Sequence, residues 1–464
     1  MTFSRRDFLA ASVAAMALPK LALPGSARAA TVPLPRDIEI VVVGAGAAGI
    51  AAARRVMAAN RKVVVVEASN RIGGRCWTDT ETFGVPFDRG ARWIYSQSTS
   101  PLARQARSVG MDVYAAPQAQ KIRIGRRNAR AGETEDFLAT LVRTNRAIAD
   151  ANRKADISAL EAMPRDLGEW AKMLEFTLGP ATASKDLKEV SALDLARLEP
   201  RDAGAFCRQG LGALVAKLAE PVPIAIGQPV TRIIWGGRDL AVETASGRVT
   251  TRAVIVTAST NVLLSGKLKF APDLPSRHLD AAAKLALGSY DHIALELPDN
   301  PLGLQRDDCF VEKSDSNKTG LLLANIAGTS LCTVDVGGSF GRDLSAQGEA
   351  AMVAFALEWL EKLYGSEVKA AVKRSAVTRW NASPFVLGAI SAAAPGAQGS
   401  RRILMEPLGS LMFAGEAAHE TLWGTVSGAW ESGERAAEAA LRRIGALKPD
   451  PAEQPRRKSR RRAR

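Results

Sequence analysis

The chain has 464 residues, 47% of them hydrophobic, with four cysteines and three histidines. That length supports two or three domains with large cores; no run of about 18 apolar residues predicts a membrane span, and the cysteines and histidines lack metal-site spacing. The net charge of +14 sits largely at the ends, which leaves the body, residues 30–447, at only +5.

Taken in order, the chain opens on Ser4-Arg5-Arg6-Asp7-Phe8-Leu9, a modest apolar stretch to Leu18, and Ala27-Arg28-Ala29. This is a twin-arginine start with an A-x-A cleavage pattern. It predicts a leader over residues 1–29 and export of the folded protein, to the periplasm if the source is Gram-negative. Next comes a buried-strand run, Ile38 to Val43, then Gly44-Ala45-Gly46-Ala47-Ala48-Gly49 opening a helix from Ile50 to Ala59, then a strand, Val63 to Val66, ending on Glu67. Strand, Gly-x-Gly-x-x-Gly, helix, strand, acid is the order of a dinucleotide-binding unit. Gly44 permits the turn, Gly46 lets backbone approach a pyrophosphate, and Gly49 lets the helix pack on the strand. The phosphates would lie on free N–H groups around Ala48, at the positive end of the helix. Glu67 lies 18 positions after Gly49, within reach of a ribose hydroxyl.

Asn70-Arg71-Ile72-Gly73-Gly74-Arg75 follows. Adjacent glycines between arginines suit a second close backbone approach, with guanidinium groups near phosphate. Here the chain resembles the flavin-containing amine oxidases: monoamine oxidases, polyamine oxidases and lysine-specific histone demethylases. The resemblance implies that Arg71, Gly74 and Arg75 help bind FAD. It also implies that Asp88-Arg89-Gly90-Ala91-Arg92-Trp93-Ile94 passes close to the flavin, so Gly90, Ala91, Arg92 and Trp93 join the cofactor set. Amino acid oxidases of the wider superfamily have a carboxylate-binding arginine where this chain has Trp93, which weighs against an α-amino-acid substrate.

Residues 130–200 are helix-rich, with apolar residues Phe137, Leu138, Leu141, Val142, Ile148, Leu167, Trp170, Met173 and Leu174 at helical spacing, read as core. A helix is predicted from Gly210, followed by strands Val230 to Trp235, Leu240 to Thr244 and Arg248 to Thr257. By resemblance Val230 supplies a backbone contact to the adenine. The family has a lysine beside flavin N5, holding a water; alignment of Gly288-Ser289-Tyr290-Asp291-His292 puts His292 there. A histidine could hold the water and exchange protons, or be a hydrogen-bonded strand residue. A helix is predicted from Glu349 to Tyr364.

Toward the C-terminus, Trp380-Asn381-Ala382-Ser383-Pro384 with Gly388-Ala389-Ile390-Ser391 resembles the family's Trp-x-x-x-Pro…Gly-Ser-Tyr-Ser segment. Trp380 would pack near the isoalloxazine. Ala389 stands where monoamine oxidases carry a flavin-linked cysteine, so the resemblance implies non-covalent FAD. Leu411 to Glu416 is a strand ending in an acid, with Gly415 and Glu416 implied at the ribityl or pyrophosphate region. Thr425 and Val426 start a last helix, to about Ile444, whose N-terminus would face the flavin N1–C2=O edge, where reduction places negative charge. The paired aromatic rings that flank the substrate nitrogen in many relatives are replaced by Ile390 and Thr425, with Trp423 nearby to supply one face.

The resemblance spans residues 36–445. The expected fold is α/β: a Rossmann-type FAD-binding domain with a parallel sheet (36–110, 205–285 and 385–446) and a mixed α+β substrate domain (111–204 and 286–384). The implied activity is FAD-dependent oxidation of a small-molecule amine: hydride transfer to flavin N5 from the carbon beside nitrogen, imine hydrolysis, and reoxidation by O2 to give H2O2, or by a periplasmic acceptor. The alternatives are an amino acid oxidase or tryptophan 2-monooxygenase-like enzyme, a carotenoid-desaturase-like enzyme, and a non-catalytic flavoprotein. The basic tail, 447–464, reads as a solvated appendage, with anionic lipid or nucleic acid as its other possible partners; export argues against nucleic acid. A Cys309–Cys332 disulfide is one possibility in an oxidising compartment.

Overall fold

A computed structural model describes residues 37–117, 120–151, 155–201 and 204–448. The leader expected over residues 1–29 and nearly all of the basic tail lie outside the described residues.

Four apolar residues in a row form β1 (Ile40–Val43), all buried, as a strand covered on both faces requires. After the glycine turn comes α1 (Ala47–Ala58), in which Ala47, Ala48, Gly49, Ala51, Ala52 and Ala53 are buried, then β2 (Val63–Val66). Three further strands join them: β3 (Ile224–Ala225), β4 (Ala253–Val256) and, after the second sheet, β7 (Leu411–Phe413). The sheet is parallel, in the order β7-β4-β1-β2-β3. Val43 pairs with both Val256 and Val66. The strands therefore end together, and Gly44, Glu67, Thr257 and Gly415 follow them along one edge. In an open α/β sheet that edge is where ligands bind.

The last helix, α2 (Val426–Arg443), packs on α1. A Cβ on Gly433 would run into the Ala48 carbonyl, so a small residue permits the close crossing. Arg55 and Glu438 pair across it at 3.2 Å.

A second, seven-stranded sheet runs Arg374–Val377, β5 (Tyr290–Glu296), β6 (Leu331–Gly337), Leu321–Leu323, Cys309–Glu312, Lys121–Ile124, Arg127–Asn128. Register sets Tyr290 opposite Gly337 and His292 opposite Asp335. The helix Glu349–Tyr364 covers this sheet with Met352, Ala356, Trp359, Leu360 and Leu363, over the predicted range.

Two expectations need correction, and one possibility left open is not met. In the helix Ala131–Ala151 the buried face is Phe137, Thr140, Thr144 and Ile148. Spacing of three and four selects that stripe, so Leu138 and Val142, on the next face, are exposed at 51% and 67%. The run expected as one strand from Arg248 to Thr257 divides at Arg252: Gly247–Thr251 joins a separate antiparallel pairing with Leu240–Thr244, and β4 enters the parallel sheet. Cys309 and Cys332 are free thiols, on strands separated by Leu321–Leu323. Among the described residues no helix is long and apolar enough to cross a membrane.

Candidate flavin and substrate site

The glycine turn is explained position by position. Gly44 has φ +104°, and a Cβ there would lie 2.5 Å from Thr257 Oγ1. A Cβ on Gly49 would overlap the Gly44 carbonyl. Gly46 precedes α1 without a side-chain cap, so the first N–H groups of the helix have no intrahelical partner. Gly74 (φ +59°) comes so close that a Cβ on it would lie 3.3 Å from Gly46 Cα, and Gly46 bridges Gly73. Two backbones thus converge beside free N–H donors, the arrangement a pyrophosphate fits.

Glu67 lies at the same edge and is buried. Its carboxylate accepts from Ala45 N at 2.6 Å and from Ser69 N and Oγ at 2.8 and 2.7 Å. Gln228 N donates to the Glu67 carbonyl at 2.8 Å and Gly227 N to that of Ser69, which sets Val230, at the start of Val230–Ile234, just beyond this loop. Arg71 lies over the Trp77 ring at 4.5 Å and near Trp380 at 5.9 Å; burial lowers its pKa.

Glu416 ties the far half of the site together. Its carboxylate accepts from Arg75 Nη1 (2.8 Å), Ser391 N (3.3 Å), Ser391 Oγ (2.7 Å) and Gly424 N (2.9 Å). Arg75 also donates to the Ala389 carbonyl at 2.5 Å. Gly415, with φ +129°, is held by Ser432 Oγ. Thr425 caps α2, accepting from Gly428 N at 2.9 Å, which leaves the N–H of Val426 among the free donors of the first turn.

Between the two sheets stand the segments expected near the flavin. A Cβ on Gly90 would overlap the Arg75 carbonyl and lie 3.0 Å from Trp380 Cζ2. Ala91 N donates to that same Arg75 carbonyl. Trp380 is fixed by its N–H to Asp291 Oδ1 (2.8 Å) and its indole N–H to the Arg89 carbonyl (2.9 Å). His292 is buried, with Nε2 2.9 Å from the Gly90 carbonyl and Nδ1 2.7 Å from Asp335 Oδ1 and 2.9 Å from Arg92 Nη2. Both ring nitrogens are therefore engaged by protein groups. Arg92 also donates to Thr333 Oγ1 at 2.8 Å, and lies 3.6 Å from Asp335. Burial acts to raise the Asp335 pKa, but the His292 and Arg92 charges override it and hold the carboxyl at about 2. Trp93 stacks parallel to Tyr95 and meets Phe206 edge-on. Trp423 is fully buried, with guanidinium groups of Arg401 and Arg201 at 4.7 and 5.7 Å from its ring.

The structure thus brings Gly44, Gly46, Ala48, Gly49, Glu67, Gly74, Arg75, Gly415, Glu416, Thr425 and Val426 around one edge of the parallel sheet. His292, Gly90, Arg92 and Trp380 form a second group, joined to the first where Gly90 meets the Arg75 carbonyl. The sequence reading missed Asp335, Asp291, Tyr95 and Arg201. Asp335 meets His292 only through strand register, which no local pattern encodes. Arg201 sits in a loop with no motif.

The residues fit FAD: a glycine-lined double backbone approach with free helix N–H groups, a buried acid at the second strand, and a second helix N-terminus across the site. Ala389 has no atom able to bond a flavin, and Cys76 is buried with its thiol pKa pushed up to about 12, so FAD is held non-covalently.

Comparison with known proteins agrees. The family model described as "Flavin containing amine oxidoreductase" matches residues 47–196 and 188–441. The protein FLOWERING LOCUS D of Arabidopsis thaliana is 28% identical over 433 residues, covering 86% of this chain and 54% of the relative. The human lysine-specific histone demethylase 2 is 26% identical, covering 87% and 54%; the chain thus spans about half the length of these relatives. Polyamine oxidase 2 of Arabidopsis thaliana is 26% identical, covering 88% and 89%. Among solved structures, cyclohexylamine oxidase from Brevibacterium oxydans IH-35A superposes with a TM-score of 0.76 at 21% identity, covering 88% of this chain and all of that one. Putrescine oxidase bound to putrescine gives 0.75 at 18%, with the same coverage. The chain belongs to the family of flavin-containing amine oxidoreductases, and its cofactor is FAD.

Proposed function

We propose that this protein is an FAD-dependent oxidase of small amines. Bound FAD supplies the acceptor for a hydride from the carbon beside the amine nitrogen; the imine then hydrolyses, and O2 takes up the electrons as H2O2. The chain's part is positional. Trp380, locked by Asp291 and the Arg89 carbonyl, packs against Gly90. Burial there favours a neutral amine, the form able to release a hydride. The free N–H groups of α2 at Val426 offset negative charge arising at that end of the site. His292 positions Gly90 through its 2.9 Å contact to the carbonyl.

The observation that carries this reading is the family match across both halves of the chain, joined to a site in which Glu416 links Arg75, Ser391 and Gly424. Arg5-Arg6 and the Ala27-Arg28-Ala29 pattern support export through the twin-arginine pathway, where a periplasmic electron acceptor could replace O2. The test is stoichiometry. Purified holoenzyme given an oxidisable amine in air should form one H2O2 and one aldehyde or ketone per amine consumed. Carbonyl product without H2O2, restored only by an artificial electron acceptor, would replace the oxidase with a dehydrogenase.

A further inference from the structure

We propose that dioxygen reaches the flavin through a small apolar cavity ending at Arg92, apart from the amine, and that Tyr114 stands at its mouth. The inference rests on the oxidase reading and assigns a site to its second substrate.

The cavity has a volume of about 30 Å³. That is room for about two water-sized molecules, far below the several hundred Å³ of a site for an organic ligand. An amine does not fit; a diatomic gas or a peroxide does. The cavity follows a seam between two apolar clusters: Phe87 and Leu331 belong to one, Phe206 and Leu323 to the other. Its polar wall groups are already engaged. Asp88 accepts from Thr78 Oγ1 at 2.5 Å, Leu211 N at 2.9 Å and Gly212 N at 3.2 Å. Arg92 Nη1 donates to Thr333 Oγ1 at 2.8 Å, and its Nη2 lies 2.9 Å from His292 Nδ1. A buried water typically makes about three hydrogen bonds. A wall of carbon and engaged polar groups offers few, and suits an apolar gas.

The two ends of the cavity fit that role. At the outer end Tyr114 and Ile326 are half-buried and Arg208 is exposed. The guanidinium groups of Arg208 and Arg306 lie 4.9 and 4.6 Å from the centre of the Tyr114 ring. Asp112 holds Arg208 at 2.6 Å and Asp307 holds Arg306 at 3.0 Å. The Tyr114 hydroxyl itself has only a long contact, 3.4 Å, to Asp307 Oδ1. Three segments thus hold the ring at the surface. At the inner end Arg92 is buried. It meets His292, whose Nε2 lies 2.9 Å from the Gly90 carbonyl. Asp88, on the same wall, comes two residues before Gly90 in the chain. One layer of side chains therefore separates the cavity from the segment assigned to the flavin. In the oxidase reading each dioxygen takes two electrons and two protons from the reduced enzyme and leaves as H2O2, which is small enough for the same way out.

The test separates the two half-reactions of the holoenzyme. Flavin reduced anaerobically with dithionite, no amine present, is mixed with oxygenated buffer, and its reoxidation is followed by stopped-flow absorbance. Ile326→Phe, which fills the cavity from its wall, should lower the second-order rate constant with O2 about tenfold, a barrier raised by about 1.4 kcal/mol. Anaerobic reduction by an amine should keep its wild-type rate. Tyr114→Trp, at the mouth, should act the same way, and is read alone if Ile326→Phe does not retain FAD. Independently of turnover, xenon applied to crystals of the holoenzyme should occupy the cavity against Phe87, Phe206 and Leu331. Reoxidation unchanged in the variants, an equal fall in both half-reactions, or ordered water that xenon does not displace overturns the proposal. A wild-type flavin that air does not reoxidise defeats the oxidase reading, and the proposal with it. A wild type that reoxidises as fast as its variants defeats the proposal alone.

Discussion

Glu416 shows how much one side chain coordinates at the residue scale. Its two oxygens receive four hydrogen bonds from three separated segments, at residues 75, 391 and 424. Glu416→Gln keeps the shape but weakens the charged bond to Arg75 and turns one acceptor into a donor facing N–H groups. We predict a roughly tenfold or larger rise in the dissociation constant for FAD, read by flavin release on dilution. Asp335 gives a pH signature. Its pKa is held at about 2 in the fold, below the ordinary value of about 3.9. A depressed carboxylate contributes stability that is present above about pH 4 and lost as pH falls toward 2. Asp335→Asn should be less stable than wild type at neutral pH, and the gap should narrow between pH 4 and 2 in denaturant titrations. His292→Ala should slow flavin reduction, because the Gly90 carbonyl loses its donor; unchanged reduction and reoxidation rates would remove His292 from the functional account.

At the element scale, the crossing of α1, β1 and α2 depends on glycines that exclude a side chain. A methyl on Gly49 overlaps the Gly44 carbonyl, and one on Gly433 overlaps that of Ala48. Backbone atoms on sheet and helix cannot move aside cheaply, so Gly49→Ala should abolish flavin-containing soluble protein, while Gly132→Ala, with nothing near its Cβ position, should retain the flavin. Both α1 and the last helix were legible in the sequence because their signals are local: a glycine turn after four apolar residues, and a capping threonine before a long helical stretch. The faces of Ala131–Ala151 were less legible. Apolar identity pointed to Leu138 and Val142, but packing geometry chose Thr140 and Thr144 for the buried stripe.

At the scale of the whole molecule, Asp194 and Arg401 join the helical segment to the chain before β7. Both are fully buried and doubly bonded, and Asp194 also accepts from Ala393 N at 2.9 Å. Arg401→Met strands that carboxylate and should cost about 3–5 kcal/mol, measured as a lower Tm of the holoenzyme. The cofactor side of the molecule could be read from sequence because its motifs are contiguous. The group around His292 could not be read whole: His292 meets Asp335 only across a strand pair. Contacts of that kind are set by tertiary register, which leaves no local trace.

The central claim is that the chain oxidises amines through its FAD. The most direct measurement is anaerobic mixing of the purified holoenzyme with a panel of amines and amino acids, followed by its visible spectrum. The account predicts that at least one amine bleaches the flavin absorbance and that air restores it. A bound flavin that no amine or amino acid bleaches would contradict it.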